Sequence, residues 1–286
     1  MIIRENIVDV EEYRLEEILN NKEVDCKPEE SIYFDLEHYV YKKPKCIGVF
    51  GACVYNKKNK KINVTQYMIE NKGEVVDILV TTYNTNEKYL KKQIESILRQ
   101  TYKNMKIYIS DDNSNKNEIK ELLEEYEKND NRIRLFLQPQ NLGYNKNFEF
   151  LLQQSTANYI MFSDHDDVWH KDKVEKSLKL LKDKDVDMVY CNCRQIDEDG
   201  VVLRDNYFKY KNVPLVKGND KLAISRCVGI GCSQIITKSV KEKMIPFKSK
   251  VIAHDWLAAF IANEGKGIDY IKEELFDYRL HNSNVF

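Results

Sequence analysis

From Val75 onward the chain alternates short apolar runs with segments of helical period, and this rhythm constrains the fold more than any other feature. Val75 to Thr81 reads as a strand, and Lys88 to Gln100 places Leu90, Ile94, Ile97 and Leu98 on one helical face. A strand from Met105 to Ser110 precedes a helix from Glu118 to Asn129. Ile133 to Leu137 is a third strand, Asn147 to Gln154 a short helix, and Tyr159 to Phe162 a fourth strand. Val174, Leu178 and Leu181 mark another helix, Met188 to Tyr190 another strand, and His254 opens a helix that runs to Gly265. Strands and helices in this order require crossover connections, hence an α/β fold with a mainly parallel sheet and ligands at the carboxyl ends of its strands.

Residues 1–73 break the rhythm. Val8 to Asn20 is expected to be helical, and Ile47 to Tyr55 with Lys61 to Met68 flank a polar turn as a hairpin. We read this part as an accessory subdomain. The stretch Val201 to Lys221, rich in charge, Asn and Tyr without a clear period, reads as a loop near the site.

Composition removes several classes of function. The net charge is −1 and the pI near 6.6, which argues against a general nucleic-acid binder. The longest apolar run falls short of the roughly 18 residues of a membrane span. Seven cysteines without a Cys-x-x-Cys pair suggest neither a zinc site nor a disulfide framework, so we expect reduced thiols in a cytosolic protein.

The chemistry concentrates at the expected strand ends. Tyr159 to Phe162 empties into Ser163-Asp164-His165-Asp166-Asp167-Val168-Trp169, a DxD pattern with a third acid beside it. Close carboxylates raise one another's pKa unless a cation compensates, and carboxylate oxygens suit Mn²⁺ or Mg²⁺. A helix cap would explain one of the three acids but not all. Thr81-Thr82-Tyr83-Asn84 and Ser110-Asp111-Asp112-Asn113-Ser114 end the first two strands. They offer acceptors for base and ribose and donors for phosphate, although turn chemistry alone favours such residues. Asn141-Leu142-Gly143 follows the third strand at a helix start, where an anion is well placed. Asp255, in His254-Asp255-Trp256, is a helix cap or a general base held at the positive end of a helix. Arg279 and His281, near the end of the sequence, read individually as surface residues.

In order, these motifs resemble the family 2 glycosyltransferases, in particular the rhamnosyltransferase-like branch of bacterial surface-polysaccharide enzymes. The resemblance runs from about Val75 to Phe286. It rests on Val80 to Asn84, Gln93 to Tyr102, Ile109 to Ser114, Asn141 to Gly143, Ser163 to Trp169, His254 to Trp256 and Tyr278 to Val285. It implies a GT-A (Rossmann-like) domain over residues 74–286, with a nucleotide-sugar half at about 74–170 and an acceptor half at about 171–286. It implies an inverting reaction from a nucleotide sugar, dTDP-rhamnose or a UDP-sugar, to a hydroxyl of a glycan or lipid-linked glycan.

By the same resemblance, Thr81, Thr82, Tyr83, Asn84, Asp111 and Asp112 line the nucleotide pocket. Asn141, Gly143, Asp164 and His165 neighbour the diphosphate or sugar. Asp164, Asp166 and His281 hold Mn²⁺ or Mg²⁺, with Asp166 ahead of Asp164 as the direct ligand. Asp255 is the base, and Asp167, Trp169, His254, Trp256 and Arg279 stand around the site. His165 occupies a position where the branch usually has Gln. Relatives commonly continue with further helices, often membrane-associated, so peripheral attachment to the inner face of the cell membrane is compatible with a cytoplasmic enzyme. Two other classes compete. A nucleotide-sugar-binding module would bind without turnover. An aspartate-nucleophile phosphatase would need its Asp-x-Asp on the first strand, not on a late one.

Overall fold

The computed structural model describes residues 74–220, 223, 228–248 and 253–281, together with the backbone of four strands in residues 1–73. The chain divides into two compact units, Met1–Gly73 and Glu74–Phe286. In the first, β1 (Ile3–Val10), β2 (Tyr33–Glu37), β3 (Cys46–Asn56) and β4 (Lys61–Glu70) form an antiparallel sheet in the order β1-β4-β3-β2. The hairpin expected between Ile47 and Met68 is present as β3 and β4, with Asn56 opposite Lys61. The helix expected over Val8 to Asn20 is not supported at its start, because residues 8–10 pair with β4 as part of β1. Residues 11–20 lie outside the described residues.

The second unit follows the predicted alternation. In chain order it comprises β5 (Val76–Thr82), α1 (Glu87–Leu98), β6 (Met105–Asp111), α2 (Asn117–Asn129), β7 (Ile133–Leu137), α3 (Tyr144–Gln154), β8 (Tyr159–Ser163), β9 (Val168–Trp169) and α4 (Lys173–Lys184). Then come β10 (Met188–Ile196), β11 (Val202–Arg204), α5 (Tyr207–Lys211), β12 (Gln234–Thr237), α6 (Lys238–Met244), α7 (His254–Glu264) and β13 (Ile268–Arg279). The sheet order is β7-β6-β5-β8-β12-β10-β13-β9, with β11 paired to β10. Its core is parallel, and β12 is an antiparallel insertion between β8 and β10.

Period-two burial on β5 shows why the sheet is covered on both faces. Val76, Ile78 and Val80 pack with Leu90, Ile94 and Ile97 of α1 and with α2 and α4. Leu79 turns to the opposite layer, with Phe148, Leu151 and Leu152 of α3 and with α6 and α7. Every residue of β5 is buried, as a central parallel strand requires. Each large aliphatic side chain so enclosed contributes about 1.5–3 kcal/mol.

One buried position of β5 is acidic. Asp77 on β5 accepts from Ser155 Oγ (2.9 Å), Thr156 N (2.8 Å) and Ala157 N (2.9 Å), all on the same Oδ2. These bonds fix the α3–β8 connection just ahead of β8.

The expected loop over Val201 to Lys221 is corrected by β11 and α5, where the side chain of Asn206 accepts from Lys209 N and caps the helix. Among the described residues, no helix is long and apolar enough to cross a membrane.

Candidate active site

The site is built where β5, β6 and β8 end. Thr82 and Asp111 are register partners at the tips of β5 and β6. Asp111 is fully buried, and its carboxylate accepts from Thr82 Oγ1 (2.8 Å), Ser114 Oγ (2.6 Å) and Ser114 N (2.8 Å). Asn84 N donates to Ser114 Oγ (2.8 Å), and Asn115 N donates to Asn84 Oδ1 (2.9 Å). Asn84 and Asn113 adopt positive φ of 46° and 62°, a conformation Asn tolerates better than most residues. Asp111, expected to line a nucleotide pocket, therefore acts directly on the loops, tying the two strand ends together. Thr81 and Thr82 are likewise buried, and Tyr83 is the exposed ring at this corner, at 46%.

Asp112 does the same for the next loop. Its two oxygens accept from Leu142 N (2.7 Å) and Gly143 N (2.9 Å), while Asn141 Nδ2 donates to Asp112 O (3.2 Å). Gly143 caps α3 with φ 79°, a backbone state that favours glycine, although a side chain would meet open space there. Asn141 and Gly143 are thus held beside the ends of β5 and β6, at a helix N-terminus suited to an anion.

β8 delivers the acidic turn. Ser163 Oγ accepts from Gln93 Nε2 (2.6 Å) and donates to Asp164 O (2.9 Å). Asp166, only 6% exposed, accepts on Oδ2 from His281 Nε2 at 2.7 Å. His165 Nε2 lies 3.9 Å from the same oxygen, and His165 Nδ1 lies 3.2 Å from Thr81 O. Asp167 is fully enclosed, with Oδ1 accepting from Arg279 N (3.1 Å) and Oδ2 accepting from no nitrogen or hydroxyl among the described residues.

Arg279 is not the surface residue expected from sequence but is fully buried. Its Nε donates to Asp166 O (2.9 Å), and one terminal nitrogen donates to Asp197 O (2.8 Å) and Glu198 O (3.1 Å). The guanidinium also lies 4.6 Å from the Tyr89 ring centre, and Tyr89 stacks on His281 at 5.6 Å. One side chain thereby clamps the acidic turn to the β10–β11 connection. Trp169, placed around the site by sequence, is instead a buried packing residue of β9. Its ring lies 3.7 Å from Lys173 Nζ, and Lys173 donates to Cys232 O.

Cys232 was not singled out in the sequence. It sits in a turn of 3₁₀ helix, Gly231–Ser233, and offers sulfur within 4.8 Å of ligand atoms of Asp164 and Asp167. Nothing local in the sequence signals this proximity, because the antiparallel pairing of β12 with β8 creates it.

The electrostatics are those of buried and crowded carboxyls. Burial, and then the charge of Asp166, push the Asp164 carboxyl up to about 6. Burial and the charges of Asp166 and Asp164 hold Asp167 well above the ordinary carboxylate range. Three acids around one turn, one with a buried oxygen lacking a nitrogen or hydroxyl donor, fit a hard divalent cation. Asp166 and His281 converge on one point of this turn, and ligand atoms of Asp164, Asp167 and Cys232 lie together at another.

Asp255 reaches this region from the far end of the sequence. The cap of α7 is Ala253, so Asp255 stands in the first turn, with Oδ1 accepting from Trp256 N at 2.9 Å. Asp255 is close enough to Asp164 for its charge to favour the proton on that acid. His254 beside it is buried among Phe148 (4.1 Å) and Phe162 (4.8 Å), and burial lowers its pKa. A Cβ placed on Gly231 would stand 2.7 Å from His254 Nε2 and 3.5 Å from Asp255 Cβ. Glycine at 231 is therefore what allows the Cys232 turn to close against α7. Trp256 is 41% exposed beside Asp255.

The comparisons agree with this architecture. The family model described as glycosyl transferase family 2 matches residues 77–244. A Methanocaldococcus jannaschii protein, "Uncharacterized glycosyltransferase MJ1057", is 30% identical over 219 residues, covering 74% of this chain and 73% of that protein. The "dTDP-rhamnosyl transferase RfbG" of Shigella flexneri is 28% identical over 225 residues, covering 72% of each. Among solved structures, a mannosyltransferase from Pyrobaculum calidifontis in complex with GDP-Man and Mn²⁺ shares the fold. Its TM-score is 0.59 at 17% identity, over 73% of this chain and 58% of that one. That fold is the GT-A arrangement of a mixed sheet flanked by helices. A matched family model over more than half the chain, on a fold with acids at the ends of its strands, has one meaning: the chain belongs to glycosyl transferase family 2.

Proposed function

We propose that the protein is an inverting, metal-dependent glycosyltransferase. Its donor is a nucleotide sugar, dTDP-rhamnose or a UDP-sugar, and its acceptor a hydroxyl of a bacterial cell-surface glycan. The observation that carries this reading is the convergence, about Gly231 and Cys232, of the acidic turn after β8 and of Asp255 on α7. The two groups required on opposite sides of an anomeric carbon come from distant parts of the sequence.

In this reading Tyr83 and Asn84, on loops fixed by Asp111, receive the nucleotide, and Asn141 and Gly143 neighbour the diphosphate. Asp166 and His281, with Asp164, hold Mn²⁺ or Mg²⁺, which would supply charge stabilisation to the departing nucleoside diphosphate. Asp255 takes the proton of the acceptor hydroxyl as that oxygen forms its bond to the anomeric carbon. A single displacement inverts the configuration there. Residues 74–170 provide the donor half and 171–286 the acceptor half, with the exposed Trp256 ring beside Asp255 on the acceptor side.

Incubation with a panel of dTDP-, UDP- and GDP-sugars, with Mn²⁺ and with chelator, tests the proposal. Release of nucleoside diphosphate that depends on both metal and acceptor is expected. Folded protein that turns over no donor under any of these conditions refutes it.

A further inference from the structure

Two imidazoles, not one, stand near Asp166. We propose that His165 is a ligand of the same metal ion as Asp166 and His281, making the site richer in nitrogen than its acidic sequence indicates. The inference rests on the metal-dependent reading above and extends it to a residue and to a choice of ion.

The argument begins with Thr81. A backbone carbonyl can only accept, so the ring nitrogen 3.2 Å from Thr81 O, Nδ1 of His165, carries its hydrogen there. In the neutral ring that leaves Nε2 bare, with its lone pair available. Donation of the other ring nitrogen to a backbone carbonyl is the support that metal-binding histidines generally have, because it fixes tautomer and ring orientation.

Nε2 then points to the acid that matters. It stands 3.9 Å from Asp166 Oδ2, and His281 Nε2 stands 2.7 Å from that same oxygen. Neighbouring donors around an octahedral ion with bonds of about 2.1 Å are about 3.0 Å apart. His281 is within a few tenths of an ångström of that spacing, and His165 needs to close by about 0.9 Å, a small rotation for a partly exposed side chain. When His281 ligates through Nε2, the hydrogen there passes to solvent and Nδ1 carries the one hydrogen of the neutral ring.

The consequence is selectivity. Mg²⁺ takes oxygen donors almost exclusively, whereas the first-row transition ions also accept imidazole, Mn²⁺ the least strongly and Co²⁺ more so. A second histidine beside the carboxylates shifts the site from Mg²⁺ toward Mn²⁺ and Co²⁺.

The test uses the full chain with Mn²⁺ in the presence of UDP, dTDP or GDP. Pulsed electron paramagnetic resonance counts coordinated imidazole nitrogens directly, and two are expected in the unmodified protein and one in His165→Gln. Glutamine keeps a donor for Thr81 O, so the turn stays in place. Calorimetry of the same variant should show Mn²⁺ affinity reduced about tenfold and Mg²⁺ affinity reduced less than about twofold. One imidazole in the unmodified protein, or an equal loss for both ions, overturns the role of His165 while leaving the metal-dependent reading intact. No Mn²⁺ binding with any of the three nucleotides overturns both.

Discussion

Replacing Gly231 by alanine probes the active site without touching any group proposed to react. The added Cβ would lie 2.7 Å from His254 Nε2, where ordinary contact starts near 3.4 Å, so the two must separate by about 0.7 Å. His254 has little room to retreat, since Phe148 and Phe162 stand 4.1 and 4.8 Å from its ring centre on other sides. The strain is relieved by moving the first turn of α7, which carries Asp255, or the Cys232 turn, which stands against Asp164 and Asp167. Overpacking of this kind costs about 1–3 kcal/mol of stability. Misplacement of a reacting group by about 1 Å costs on the order of 100-fold in rate. Gly231→Ala should therefore lower kcat by roughly 30- to 100-fold and lower Tm measurably, with donor affinity unchanged to within a few-fold. The second variant, Gly231→Ala with His254→Ala, removes the obstructing ring and should recover part of the lost rate. Steady-state kinetics, donor calorimetry and thermal unfolding on the single and double variants decide the matter. A single variant with unaltered kcat and Tm would refute the close packing of turn and helix. A double variant showing simple additivity would refute the role of His254 in transmitting the strain.

Asp255→Asn should reduce transfer by at least 100-fold with donor affinity preserved, as isothermal titration with the nucleotide sugar would show. Asp77→Ala should destabilise the catalytic unit by about 3 kcal/mol in urea unfolding, because three donors in the α3–β8 connection lose their acceptor. The raised pKa of Asp164 sets a pH dependence. With the folded value near 6 against an ordinary value near 4, its contribution to the stability of metal-free protein declines as pH rises through this window. Bound Mn²⁺ should remove that decline, so the rise in Tm caused by Mn²⁺ over EDTA should grow from pH 5 to pH 7 and then level off.

The order of strands and helices was legible because each signal is local. Leu90, Ile94 and Ile97 report the face of α1, and the apolar run of β5 reports burial on both sides. β13 escaped notice because Lys272-Glu273-Glu274 interrupts its apolar pattern, yet it is an interior strand between β10 and β9. β12 is only four residues long, and its antiparallel placement follows from no local period. The acidic turn and Asp255 could be picked out as candidates because they are dense in unusual residues. Cys232 and Gly231 could not, since their importance comes from what the tertiary fold sets against them. Arg279 was misread for the same reason: a guanidinium is buried only when several carbonyls meet it, and those of Asp166, Asp197 and Glu198 are far apart in the chain.

The clamp by Arg279 also orders events during synthesis. The acidic turn leaves the ribosome more than a hundred residues before the strand that secures it, and β13 must slot between β10 and β9 to bring that guanidinium home. Until then Asp166 lacks its imidazole partner at 281 and Asp167 lacks its backbone donor. The candidate site is thus secured by a strand made long after the turn that it holds.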